Sequence, residues 1–177
     1  MYILEGDEKT TPVMLYLGSK LVYGELISKD GIRVHSWLRS PMVPEQFHLL
    51  NAKVIQFAGH DVKQFQFPEI YVPIAQILAY HVLPPATKDM EMDYDPNEPN
   101  RIMRQVTIFV SRFNFAGERR ISKLADFTAS LAAGAAQAFE PLYNVIVSHP
   151  TIPNMSNLKV PYVLIRSKTA TFALRED

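Results

Sequence analysis

The chain has no cysteine in its 177 residues. Disulfides, thiolate nucleophiles and cysteine-held zinc or iron–sulfur centres are therefore excluded. Glycine is scarce, at seven residues, and none of them forms the Gly-rich turn of a P-loop or a dinucleotide site. No apolar run reaches the roughly 18 residues that a spanning helix needs. The start of the chain, MYILEGDEKTTP, has no basic region followed by an apolar stretch, so no signal peptide is predicted. An excess of either charge is also missing: 18 Lys and Arg balance 18 Asp and Glu, which removes any global attraction to nucleic acid or anionic lipid. The expectation is a cytoplasmic protein without a membrane partner, with RNA as a partner unsupported by net charge.

What the chain does have is apolar content, 47% of its residues, divided into short segments by 13 prolines. That combination predicts a packed, mainly β protein. Val13–Leu17 and Leu21–Ile27 read as strands on either side of a tight turn at Gly18-Ser19-Lys20. Lys29-Asp30-Gly31 reads as a second turn, because Asp-Gly tolerates positive φ. Ile32–His35 alternates as a short strand, and Phe47–Phe57 reads as a strand region with a break near Asn51. Glu69–Pro73 and Ile77–Leu83 complete the first half. Residues 86–101 carry a cluster of acids with two prolines and read as an acidic linker. Beyond it, strands are predicted at Val106–Val110, Phe113–Arg119, Leu142–Val147 and from Val160 to Leu174. Leu124, Phe127, Leu131, Ala135 and Phe139 recur at helical spacing and predict one amphipathic helix over 122–138, buried along that stripe.

The two halves resemble each other. At a shift of 93, Val13, Gly24 and Glu25 fall on Val106, Gly117 and Glu118. At a shift of 92, Phe47 falls on Phe139 and Leu50 on Leu142; at 91, Tyr71 falls on Tyr162. A strand that bends sharply to close a small barrel often needs glycine at the bend. The reading is two tandem five-stranded barrels, 11–85 and 102–177, with the helix inserted in the second.

At Val13-Met14-Leu15-Tyr16, the bent strand Leu21–Leu26, and Ile70–Ile77 ending at Pro84, the sequence resembles the Sm-like barrels of the Hfq and Sm/LSm group. The resemblance implies five-stranded SH3-type barrels and association of copies through edge strands. It does not carry over the family's RNA pocket: the histidine that follows the family's Tyr is missing, and Pro73 or Leu164 stands in that stretch.

Motifs for chemistry are few. Asp93-x-Asp95-x-Asn97 begins like a calcium loop, but Glu98 stands where glycine is needed and Arg104 where the bidentate acid is needed. The five histidines, His35, His48, His60, His81 and His149, show no ligand spacing, and His81 lies inside an apolar strand where a hydrogen-bonded core residue is expected. Ser148-His149 are strand neighbours that face opposite ways. No catalytic residue, metal site or cofactor is predicted. The candidate ligand or partner residues fall in two groups, Lys53, His60, Lys63 and Phe65 around one loop and Trp37 between Arg33 and Arg39, each a mixture of cations and aromatics that can stack flat groups. The function predicted is a non-catalytic binding or assembly module acting as a homo-oligomer, through edge strands or the Ala-rich helix. The alternative is an enzyme or small-ligand binder using a cleft between the barrels.

Overall fold

The structure, a computed structural model, describes residues 2–58, 61–84, 94–95, 97–134, 137–152, 155 and 157–175. The chain is mainly β and divides into two units, Met1–Met90 and Glu91–Asp177. Most of the acidic stretch 86–101 lies outside the described residues.

Unit 1 contains β1 (Glu8–Tyr16), β2 (Lys20–Lys29), α1 (Val34–Leu38), β3 (Gln46–Ala58), β4 (Asp61–Pro73) and β5 (Ala79–Val82). Its antiparallel order is β5-β1-β2-β3-β4. Unit 2 contains β6 (Arg101–Val110), β7 (Phe113–Ser122), α2 (Phe127–Gly134), β8 (Glu140–Ser148), β9 (Leu158–Ile165) and β10 (Thr171–Leu174). Its order, β10-β6-β7-β8-β9, is the same sequence of neighbours. Among the described residues no backbone ladder joins β4 to β5 or β9 to β10.

Both units bend at the same device. Tyr23 pairs with Lys53 and Glu25 with Leu50, so Asn51 and Ala52 together oppose Gly24. In unit 2, Ala116 pairs with Ile146 and Glu118 with Tyr143, so Asn144 and Val145 oppose Gly117. Each is a β-bulge, which bends the strand carrying the extra residue. Asn51 and Asn144 adopt positive φ, 50° and 51°, a region that asparagine tolerates better than most residues. Each donates its side-chain amide to the glutamate beside the facing glycine: Asn51 to Glu25 at 3.1 Å and Asn144 to Glu118 at 2.5 Å. The bulge shifts the numbering of the buried positions on β3 from odd to even. Phe47 and Leu49 are buried before it, Ala52 and Val54 after it. Leu49 faces Leu26 and Val54 faces Val22 across the ladder, so residues of opposite parity reach the same side of the sheet.

The glycines are required by the close approach of the next strand. A methyl group at Gly24 would come within 3.1 Å of Leu49 and 3.2 Å of the Leu50 carbonyl oxygen. At Gly117 it would come within 2.7 Å of the Tyr143 carbonyl and 3.1 Å of Leu142.

This register corrects three sequence matches. A constant shift of 93 holds from β1 through β4, so Leu142 corresponds to Leu49 rather than Leu50, and Glu140 rather than Phe139 corresponds to Phe47. Tyr71 lies opposite His48, whereas Tyr162 lies opposite Tyr143, the counterpart of Leu50. The two tyrosines are thus not equivalent: Tyr71 is 57% exposed and Tyr162 is buried. The shift drops to 92 only at the last strands, where Ala79 and Thr171 pair with Tyr16 and Phe109.

The helical segments also differ from expectation. Ile32–His35 is not a strand: α1 starts at Val34 and buries Val34, His35 and Leu38. In unit 2 the helix spans only Phe127–Gly134 and has no buried residue. Leu124 precedes it and is 95% exposed, while Phe139 follows it, fully buried, just before β8. The apolar spacing was real, but its members belong to a turn, a short helix and a strand entrance. Ala135 and Ala136 lie outside the described residues.

Candidate functional site

An open apolar surface of unit 1 follows from the position of β4. Residues 61–68 are all exposed, because β4 ends its strand order and pairs with β3 alone. Side chains two apart share a face, which puts Lys63, Phe65 and Phe67 on one side. Phe65 and Phe67 are 41% and 43% exposed, and their rings stack with centroids 6.4 Å apart. They lie along a groove of about 310 Å³ whose floor is Val22, Val54 and Val72. Its polar lining is one cation, two amides and a phenol, Lys20, Gln56, Gln76 and Tyr71, with no carboxylate.

Tyr71, which also lines the groove, stacks on His48 at 4.3 Å, and Tyr2 meets the same imidazole edge-on at 4.8 Å. Glu69 ties this group together. Its carboxylate is 3.1 Å from His48 Nε2 and accepts from the Tyr2 backbone N–H at 3.1 Å and the Tyr71 hydroxyl at 3.5 Å. The Tyr2 hydroxyl donates to Glu8, which together with burial raises the Tyr2 pKa above its ordinary value. The segment before β1 is thereby fixed across β3 and β4.

The structure separates the residues predicted from sequence. Lys63 and Phe65 share the outer face of β4, with Phe65 in the groove. Lys53 is on the opposite face of β3, since Val54 is the residue facing Phe65. Arg33, Trp37 and Arg39 belong to α1 and its flanks. The Trp37 indole donates to the Met42 carbonyl at 3.1 Å and packs on Phe47 at 5.7 Å, which makes it a fastening for its own loop. Phe47 and Gln56, which faces Lys63, are nine residues apart on β3, roughly 30 Å of strand. The two predicted groups therefore lie in separate places. His60 lies outside the described residues. Phe67, Tyr71, Lys20 and the Glu69–His48 pair complete the observed surface; the every-second-residue aromatics of Phe65-x-Phe67 were the signal for it.

His81 is a core residue. It is fully buried on β5, its Nδ1 is 3.4 Å from the Tyr16 hydroxyl, and burial lowers its pKa to about 4. Burial raises that of Tyr16. Among the described residues no three His, Cys, Asp or Glu side chains gather as a metal site, and no helix is long and apolar enough to cross a membrane.

No family model, no curated protein and no solved structure matches this chain.

Proposed function

We propose that the chain is a non-catalytic binding and assembly module of two Sm-like repeats, and that copies of it join through strand edges. The observation that carries this reading is β4. It is a 13-residue strand with a single strand partner among the described residues, and it exposes Val62, Phe65 and Phe67. A long apolar edge is an aggregation hazard unless a partner covers it.

The edge suited to it is β10, which ends the strand order of unit 2 and carries Phe172 and Leu174. Pairing β4 of one copy with β10 of the next satisfies the four-residue β10 edge and part of the 13-residue β4 edge, and brings Phe172 and Leu174 beside the Phe65–Phe67 groove. Such head-to-tail contacts make a closed ring when the rotation closes, and three two-repeat chains give six barrels in a ring. The common strand order, the common bulge and the 93-residue register support an origin of the two repeats by duplication.

Light scattering after gel filtration tests assembly. A trimer of the 20.1 kDa chain gives about 60 kDa. A monomer mass at micromolar concentration removes the proposal. The ratio of absorbance at 260 and 280 nm in the purified protein separates an RNA-bound module from a protein-only one.

A further inference from the structure

In unit 2 the two core positions that flank the bulged strand pair are charged. Arg119 on β7 and Glu140 on β8 occupy the places held in unit 1 by Leu26 and Phe47, both fully buried. The charged pair is buried as well, each side chain only 7% exposed. Arg119 Nη2 and Nε donate to the same oxygen, Glu140 Oε2, at 2.6 and 2.8 Å. The rest of the guanidinium faces α2. Nη1 donates to Ser130 Oγ at 2.8 Å and Nη2 to the Ser130 carbonyl at 3.0 Å. The rings of Phe127 and Phe172 lie 5.7 and 5.8 Å from its central carbon. Gly134 closes the far end of the helix so tightly that a Cβ there would collide with the Glu140 carboxylate.

The helices that cross from the second to the third strand in each unit are thus held in different ways. α1 docks by burying Val34, His35 and Leu38. α2 buries no residue, so the apolar face that normally holds a short helix to its domain is missing. The equivalent sheet positions in unit 1 pack with apolar residues, so this strand arrangement is compatible with an apolar pair there. Replacing a buried ion pair by well-packed apolar groups is often neutral or stabilising, whereas removing one partner strands the other charge.

We infer that Arg119 and Glu140 form a latch, whose role is to hold α2 closed on the sheet through Ser130, and that α2 opens as a local unit while unit 2 stays folded. Segments with few buried apolar contacts open below the free energy of global unfolding. Glu140 orients the guanidinium and Arg119 is the bolt. An anion that competes for the Nη1–Nη2 edge against Ser130 would release the helix.

The test uses unit 1 as the template. The double variant R119L/E140F installs the Leu26 and Phe47 pair in unit 2 of the full chain. Expected is a folded protein with a thermal midpoint at or above that of the parent, in which the amides of Ser130–Gly134 exchange with deuterium at least tenfold faster while those of β7 and β8 do not change. S130A, which keeps the ion pair and removes one acceptor, should accelerate the same amides by a smaller factor. Unchanged exchange in α2 for both variants overturns the inference. So does a double variant that fails to fold, because the sheet would then depend on the ion pair directly.

Discussion

The α-carbon of Gly117 faces the carbonyl oxygen of Tyr143 so closely that a methyl group there would stand 2.7 Å from it. The contact is with backbone, which cannot rotate away. At Gly24 the nearest atoms are side-chain carbons of Leu49 at 3.1 Å, with the Leu50 carbonyl at 3.2 Å. G117A should therefore cost about 1–3 kcal/mol as overpacking against a bulge, and G24A should cost less. Urea midpoints of the two variants decide this. Equal losses would mean that the bulge relaxes in both units.

His81 gives the protein a specific acid sensitivity. Its folded pKa, about 4, lies below the ordinary 6.5 because burial opposes the charge. Between those values the unfolded chain takes up a proton that the folded chain refuses. Stability from this group is fully present above pH 6.5 and is lost progressively as pH falls toward 4, by about 3 kcal/mol in total. His149, also held low by burial and by Arg112, acts in the same direction. The carboxylates of Asp7 and Glu8, both lowered, lose their contribution at more acidic pH. Urea unfolding measured between pH 7.5 and 4.5 should show a falling stability that is flatter in H81L. An identical slope in the variant would rule out His81 as the source.

The corrected helix makes a paired prediction. L124S should change stability by less than about 0.5 kcal/mol, as surface substitutions do, because Leu124 is almost fully exposed. F139A should cost about 3–5 kcal/mol, because Phe139 is buried and packs under the Arg166 guanidinium at 4.5 Å. Thermal melts of the two variants are sufficient. A large loss in L124S would restore the continuous apolar stripe over 122–138.

Strand-level organisation was legible because it depends on local pattern. Alternation marked the strands, Asp30-Gly31 marked a turn, and Gly24 with Gly117 marked the bends. Even the break at Asn51 was visible, and it is the positive-φ residue of the bulge. What failed depended on register and on burial. Matching Tyr71 to Tyr162 follows residue type, whereas the hydrogen-bond ladder fixes equivalence by cross-strand partner. Apolar spacing of three and four residues is satisfied equally by a turn plus half a helix, which is how Leu124 and Phe139 came to be read as one face. Lys53 and Lys63 read as one basic cluster around a loop because they are close in sequence, yet the cross-strand register puts them on opposite faces. The Arg119–Glu140 pair had no sequence signal, since its two members are 21 residues apart and each looks like an ordinary surface charge.

The β4 surface separates stability from assembly. Phe67 is nearly half exposed in the single chain, on the far side of an outer strand. Removing it takes little from the fold, so F67K should lower stability by no more than about 1 kcal/mol. In the assembly proposed above, the same ring lies beneath the β10 edge of the neighbouring copy, and a lysine there puts a charge into an apolar contact. Charged side chains on edge strands are a general device against strand addition. The variant should thus keep the far-UV circular dichroism and urea midpoint of the parent while its mass by light scattering falls to that of one chain. Lys63 to Ala, on the same face but outside the groove lining, serves as the control and should leave the mass unchanged. Full-size assemblies in F67K, with folding intact, would place the contact between copies elsewhere and leave the Phe65–Phe67 groove open to a different partner.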